Sequence, residues 1–428
     1  MQPLPKTSGA PIRGAHRSPS VSSNLSLRWV AVSVFVLSST LNYLDRLLLN
    51  TLAPLIMTSL HFDQTGFGFL ISAFSVAYAA STLFAGWFLD RFGLNTGVAA
   101  ALSWWSAAAI CTGLVRSFGG LAFCRVALGI GESAGVPAFG KANGLYLKPS
   151  ERALGAAVNQ IGLSVGAALS AAWIGMAIAR GWRVPFMITG CLGFAWIPIW
   201  LFVNRKIRPQ FAREEFVSKE EQRRRPALSI LTERNLILLV IANVLWMGSY
   251  SLWSNWTTLY LTRVHHLTLK ESAAYVWIPP LVSNFGGFFG GWLSLRWIRR
   301  SVEPVSARRR AIWASALGAL LTLLLPVAPD ARWATVIISI SFFFALAGSV
   351  NIYALPIDIY GAARSGVAIA ALTCAFGVLQ TVISPVIGFL SDHKLYTEVI
   401  WMVTLPLLLS AWVLTFCRTS GETRVSDG

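Results

Sequence analysis

Apolar runs of about 20 residues recur along almost the whole chain, parted by short polar breaks. Their approximate limits are 28–57, 66–89, 95–115, 118–140, 151–179, 182–203, 235–262, 271–297, 310–328, 333–357, 364–390 and 396–417. Each is long enough to cross a hydrocarbon layer of roughly 30 Å. Inside lipid the backbone must close its own hydrogen bonds, so helices are the element expected. The pattern predicts an all-α polytopic membrane protein with twelve transmembrane helices and the lipid bilayer as its solvent.

The polar breaks give this bundle a direction. Of the 35 Lys and Arg, 26 fall in the tails and in every second break when the first span starts inside; seven fall on the other side, and Arg46 and Arg125 lie within spans. The positive-inside rule then puts both termini in the cytoplasm of a plasma membrane, the inner membrane if the source is bacterial. The longest internal break, 204–234, carries Arg223-Arg224-Arg225 among several Glu and reads as a polar cytoplasmic linker. The predicted organisation is a tail at 1–27, a six-helix half at 28–203, the linker at 204–234, a second half at 235–417 and a tail at 418–428. A weak repeat supports the two halves. Gly86-Trp87-Phe88-Leu89-Asp90-Arg91 is echoed by Gly291-Trp292-Leu293-Ser294-Leu295-Arg296, and Gly155 and Gly166 by Gly366 and Gly377. Parallel repeats around a central site are a transporter arrangement, with binding near the midplane between the halves.

Composition narrows the classes further. With 428 residues, 55% apolar, 12% charged and a mean hydropathy of +0.60, the chain is neither disordered nor wholly aqueous. A net charge of +17 would suit a nucleic-acid binder only if it formed a solvated basic face, and here apolar runs interrupt it throughout; no nucleic acid is expected. The five cysteines lie in apolar runs, are odd in number and read as small hydrophobes. The first residues carry Lys6, Arg13 and Arg17 with Pro and Ser, a flexible tail rather than a signal peptide. All five histidines sit in tails or at span ends, with no metal-ligand spacing. No metal, no cofactor and no enzymatic function are expected, and a monomer is.

Four ionisable residues stand well inside spans: Asp45, Arg46, Arg125 and Glu132. Each costs roughly 2.5–3.5 kcal/mol at a helix centre, on the order of 10 kcal/mol together, so they must face the interior, pair and mark function. Arg125 and Glu132 are seven residues apart, hence on one helix face about two turns from each other. Counting along the first span puts Asp45 near the depth of Arg125, so an Asp45–Arg125 contact is feasible in one conformation. A buried carboxylate favours its neutral form when desolvated and its charged form when a guanidinium approaches. A helix movement that makes or breaks such a pair would therefore load or release a proton. Arg46 points about 100° away from Asp45, free to present its fork to an anion. Softer polar candidates are Asn42, Tyr43, Tyr78, Asn159 and Gln160 in the first half and Asn255, Trp256, Asn284, Asn351, Tyr353 and Thr373 in the second. As a set they would supply hydroxyl-binding groups.

These residues resemble the major facilitator superfamily. Gly86 through Gly93, read G-W-F-L-D-R-F-G, is similar to the superfamily's loop motif, in which Gly86, Asp90, Arg91 and Gly93 would govern the conformational lock. Leu41-Asn42-Tyr43-Leu44-Asp45-Arg46 and Arg125 through Ala138, R-V-A-L-G-I-G-E-S-A-G-V-P-A, resemble its anion:cation symporter branch, as do Gly181-Trp182-Arg183 and Ala354-Leu355-Pro356. The resemblance implies that Arg46 with Tyr43, Tyr78 and Gln160 holds a small organic anion, that Asp45 and Glu132 carry protons, and that Arg125 is the switching partner. Trp256 and Asn351 would add substrate contacts from the second half. Departures from the pattern are Leu94-Asn95-Thr96 after the loop motif, Leu295 for a common Asp, Thr258 for a common Pro and Cys374 near a common Asn.

The function expected is proton-coupled uptake of a small monocarboxylate, a sugar acid such as a hexuronate or aldonate, by alternating access. An exporter or antiporter of the same superfamily and a non-transporting sensor are the alternatives. The coupling ion expected is H⁺, and Na⁺ is not excluded.

Overall fold

The computed structural model describes residues 25–147, 151–223 and 228–417, and no strand occurs among them. Residues 1–24 of the first predicted tail, all of the second, and residues 224–227 of the predicted linker fall outside the described residues. The helices, in chain order, begin with α1 (Leu25–Thr51, resumed as Ala53–Leu60), α2 (Gln64–Phe92) and α3 (Leu94–Leu114). Then come α4 (Phe118–Glu132, resumed as Gly135–Tyr146), α5 (Arg152–Ala172, resumed as Ile174–Arg180) and α6 (Arg183–Arg223). The second half holds α7 (Arg234–Val264), α8 (Ile278–Ile298), α9 (Pro304–Ala319, tightening into 3₁₀ turns over Leu320–Val327), α10 (Ala331–Gly361), α11 (Ser365–Asp392) and α12 (Tyr396–Val413).

Among the described residues, ten of these stretches are long and apolar enough to cross a membrane on their own. The other two of the twelve have visible reasons to fall short. α4 is interrupted after Glu132, and α8 carries Pro279, Pro280, Asn284 and a run of glycines. α8 also starts later than the predicted 271, because a capping box between Thr268 and Glu271 opens a separate short turn at Leu269–Ser272. α6 continues far beyond its apolar part, which ends at Lys206, so the first stretch of the predicted linker is helix.

Proline explains two of the interruptions. Pro137 has no N–H to offer the Ser133 carbonyl four residues back, and α4 breaks at Ser133 and Ala134. Pro54 stands in the same relation to Asn50, and α1 breaks at Leu52. Glycine explains two sharp corners. Gly93 (φ 81°) turns α2 into α3, and Gly361 (φ 68°, ψ 174°) separates α10 from α11 in an otherwise continuous run.

The buried apolar residues form three clusters, and their membership shows how the halves meet. One draws on both halves, joining Leu48, Ile56 and Phe67 to Trp256, Leu259 and Ile387. The other two each stay within one half, around Phe35, Trp196 and Trp200 in the first and around Trp246, Ile312 and Leu372 in the second. The halves are therefore fused at the end where α1 and α7 finish and α2 begins, and separate toward the other end. Small residues make the fusion close. A Cβ on Gly68 of α2 would lie 2.4 Å from the Ser384 carbonyl oxygen of α11, and one on Gly388 would lie 2.3 Å from the Gln64 carbonyl oxygen. The Asp392 carboxylate at the end of α11 accepts hydrogen bonds from the Gln64 and Thr65 amides at 3.0 and 2.8 Å, capping α2 from the opposite half.

Candidate functional site

The site begins with how α1 is turned. α5 lies against it through glycine: a Cβ on Gly166 would meet the Thr40 carbonyl oxygen at 2.5 Å, and one on Gly162 would meet Val36 Cγ1 at 2.6 Å. On another side, Trp196 of α6 donates its indole N–H to the Val34 carbonyl at 2.7 Å. These contacts fix the rotation of α1 and send Asp45 and Arg46 to different neighbours.

Arg46 reaches Glu132 on α4. Its Nη2 and Nε lie 3.1 and 3.3 Å from the same carboxylate oxygen, Oε2. The Glu132 side chain is completely buried, whereas that of Arg46 is 29% exposed and lines the cavity between the halves. Three rings surround the guanidinium, its carbon 4.9 Å from the centres of Phe74 and Tyr78 and 5.7 Å from Tyr43. Such faces stabilise a cation partly removed from water. Glu132 Oε1 has no hydrogen-bond partner, so the pair leaves one carboxylate oxygen unsatisfied.

Asp45 and Arg125 form the other half of the charged group. Asp45 is buried and faces Thr189 of α6, with Oδ1 unpartnered. Arg125 is buried, donates from Nη2 to Thr112 at 3.3 Å and lies 5.7 Å from the Phe186 ring centre. No hydrogen bond or ion pair joins Asp45 to Arg125 among the described residues. The pairing in this state is therefore Arg46–Glu132 and not the Asp45–Arg125 contact that helix depth suggested, and Arg46 is engaged rather than free. The four charges nonetheless share one buried region of α1 and α4.

The cavity extends from Arg46 toward the second half. Tyr43 and Tyr250 of α7 bring their hydroxyls within 3.1 Å of each other. Asn50 donates to Asn255 Oδ1 at 2.9 Å and to the Ser254 carbonyl at 3.2 Å. Gln160 of α5 donates to Asn284 Oδ1 at 2.9 Å, and Ser75 of α2 donates to Gln380 Oε1 of α11 at 3.0 Å. Polar side chains thus cross between the halves around the cavity in a region otherwise walled by Phe74, Phe342, Leu346 and Phe376.

Of the residues singled out in the sequence, Tyr43, Arg46, Arg125, Gln160, Asn255 and Asn284 line this cavity, and the Tyr78 ring lies against Arg46. Two lie elsewhere. Trp256 is buried in the cluster shared by both halves, edge-on to Phe67 at 5.2 Å, because it points from α7 into the sealed end and not toward the cavity. Asn351 is fully buried, its amide donating to the Gly290 and Ala347 carbonyls and its oxygen 3.4 Å from Arg308 Nη1, so it fastens α8 to α10. Arg308 also pairs with Asp358 at 3.1 Å and donates to Ser294 at 2.8 Å, supplying a polar link beside Leu295. In the loop motif, Gly86 has open space where a Cβ would go, Arg91 is exposed and Lys141 donates to the Leu89 carbonyl at 3.1 Å. The Asp90 side chain lies outside the described residues. Tyr250, Ser254 and Gln380 escaped sequence reasoning. Hydroxyls and amides are common in membrane helices, and nothing in their spacing marks those that face a cavity.

Comparison with known proteins places this geometry. The chain is 26% identical over 407 residues to the "Hexuronate transporter" of Escherichia coli (strain K12), covering 91% of this chain and 93% of that one. It is 26% identical over 347 residues to the "Probable galactarate/D-glucarate transporter GudP" of Bacillus subtilis (strain 168), covering 74% of this chain and 76% of that one. Among solved structures, a bacterial homologue of the human lysosomal transporter Spinster, in an inward-facing and unoccupied conformation, matches with a TM-score of 0.68 at 17% identity, over 91% of this chain and 95% of that chain; this likeness concerns the fold. The family model described as Major Facilitator Superfamily matches residues 35–378. The chain, a multi-pass membrane transporter and not an enzyme, belongs to that superfamily.

Proposed function

We propose that the protein imports a sugar acid of the hexuronate or aldonate type together with protons, by alternating access of its two halves. The observation that carries this reading is the Arg46–Glu132 pair. It is a guanidinium open to the cavity between the halves and held by a carboxylate that is itself cut off from water. An organic anion entering the cavity competes with Glu132 for Arg46. Protonation of Glu132 releases the fork, and the substrate carboxylate takes its place through two parallel N–H bonds. Once the anion leaves, Glu132 needs Arg46 again and gives up its proton. Tyr43, Tyr78 and Gln160 complete the anion's surroundings, Asp45 carries a second proton, and Arg125 is the group whose partner changes between states.

The basic loops lie at the end where the halves part, so by the positive-inside rule this state is open to the cytoplasm and sealed outside. In a bacterium the membrane is the inner one. The sugar-acid substrates named for the relatives support the substrate class, and the partly exposed fork of Arg46 supports an anion.

The test is counterflow. Purified protein in liposomes loaded with unlabelled glucuronate or galactonate should take up the same labelled acid from outside without any pH gradient, and Arg46→Gln should abolish it. Absence of exchange with every sugar acid tried would overturn the reading.

A further inference from the structure

The charges of the cavity stand on one wall. Arg46 and Arg125 both belong to the first half, and Arg125 is 2% exposed and bonded to Thr112. Among the described residues, the second half lines the same cavity with Tyr250, Ser254, Asn255, Ser283, Asn284 and Gln380 between apolar side chains, and with no cationic group. Three of these already receive a donor from the first half: Asn255 from Asn50, Asn284 from Gln160 and Gln380 from Ser75. The amides of Asn255 and Asn284 donate in turn to carbonyls of their own helices, Ser251 and Pro280. The second wall therefore offers dipoles, several of them already engaged, and no counter-charge.

We propose that this cavity selects sugar acids bearing one carboxylate over those bearing two, with Gln380 as the position that decides the matter. The inference rests on the sugar-acid reading above and sharpens it. A carboxylate at each end of a six-carbon chain cannot have both ends on Arg46. The far carboxylate meets phenol, amide and ring surface, where an ionised group loses its water without gaining a counter-charge. Moved back toward the first half, it finds Arg46 already taken by the other carboxylate and Arg125 buried and bonded to Thr112. A hydroxymethyl group at the same end needs only a hydrogen bond. Gln380 lines the cavity from α11, on the half that carries no cation. Its oxygen is held by Ser75, which turns the amide nitrogen away from α2 as a donor for a neutral hydroxyl.

The experiment compares galactonate with galactarate, which differ only in a hydroxymethyl or carboxylate at C6. Both are tested in counterflow at a pH where every substrate carboxylate is ionised. Galactarate should compete with labelled galactonate at least tenfold more weakly than unlabelled galactonate does. Gln380→Lys should narrow that gap at least tenfold by improving the diacid, and Asn284→Lys serves the same purpose if the first variant melts or aggregates. Equal competition by the diacid in the wild type overturns the proposal while leaving sugar-acid transport intact, and loss of exchange with both acids overturns the transport reading itself. A folded Gln380→Lys protein with an unchanged ratio removes Gln380 from the deciding role.

Discussion

Replacing Glu132 with Gln should make the protein bind its anion more tightly. In the wild type the anion must take Arg46 from Glu132, which accepts two guanidinium N–H groups at 3.1 and 3.3 Å. A hydrogen bond to a charged group contributes about 1.5–3 kcal/mol net. The two bonds converge on one oxygen and the Arg46 side chain is 29% exposed to the cavity, so the lower figure is the appropriate one for the pair. About 1.4 kcal/mol is a factor of ten, hence the Glu132→Gln protein should bind a monoacid about tenfold more tightly at about pH 8, where wild-type Glu132 is ionised and competes. As pH falls, Glu132 takes a proton and the wild-type affinity should rise toward that of the variant. The variant's own affinity should change much less, because the carboxylate that competes for Arg46 is gone. Calorimetric titration with glucuronate or galactonate at about pH 8 and about pH 5.5 measures all four values. Equal wild-type and variant affinities at about pH 8, or a variant as pH-dependent as the wild type, would refute the competition.

Three further outcomes follow from the geometry. Gly68→Ala places a methyl group against the Ser384 carbonyl across the sealed end, an overpacking worth about 1–3 kcal/mol, and should raise labelling of single cysteines on the outer side by shifting molecules out of the outward-closed state; unchanged labelling would count against that contact being specific to this state. Tyr43→Phe and Tyr250→Phe, alone and combined, should show a coupling of about 0.5–1.5 kcal/mol in substrate affinity, from the 3.1 Å hydroxyl contact, and additive effects would argue against it. Asn351→Ala should lower thermal stability by about 1–3 kcal/mol, because it releases the amide link between α8 and α10, and should leave the order of preferred substrates as it was; a changed order would return Asn351 to the binding site.

Run length and the cost of charge in lipid made the helices and the charged group legible before any geometry was known. Asp45, Arg46, Arg125 and Glu132 had to be together because none can stand alone in the membrane. Which of them pair could not be read. Asp45 and Arg46 are neighbours about 100° apart around the helix, so the rotation of α1 decides which of them faces α4. That rotation is set by Gly162 and Gly166 of α5 and by the indole of Trp196, contacts between segments more than a hundred residues apart. Trp256 and Asn351 show the same limit from the other side. A polar or aromatic residue within a span signals that something must be satisfied, and the partner of Asn351 proved to be a neighbouring helix's carbonyl. Run length passes over the breaks at Pro54 and Pro137, because a proline interrupts a helix without making it less apolar, and the late start of α8 came from a capping box at Thr268 to Glu271 whose role depends on the helix stopping there.

The central claim is that proton movement drives the anion inward. Its most direct test is accumulation of a labelled monoacid, glucuronate or galactonate, in proteoliposomes that are acidic outside, with the membrane potential clamped. The account requires uphill accumulation in the wild type that collapses when a protonophore is added. In Glu132→Gln exchange should continue and accumulation should fail. Accumulation that ignores the pH gradient, or that survives in Glu132→Gln, would contradict it.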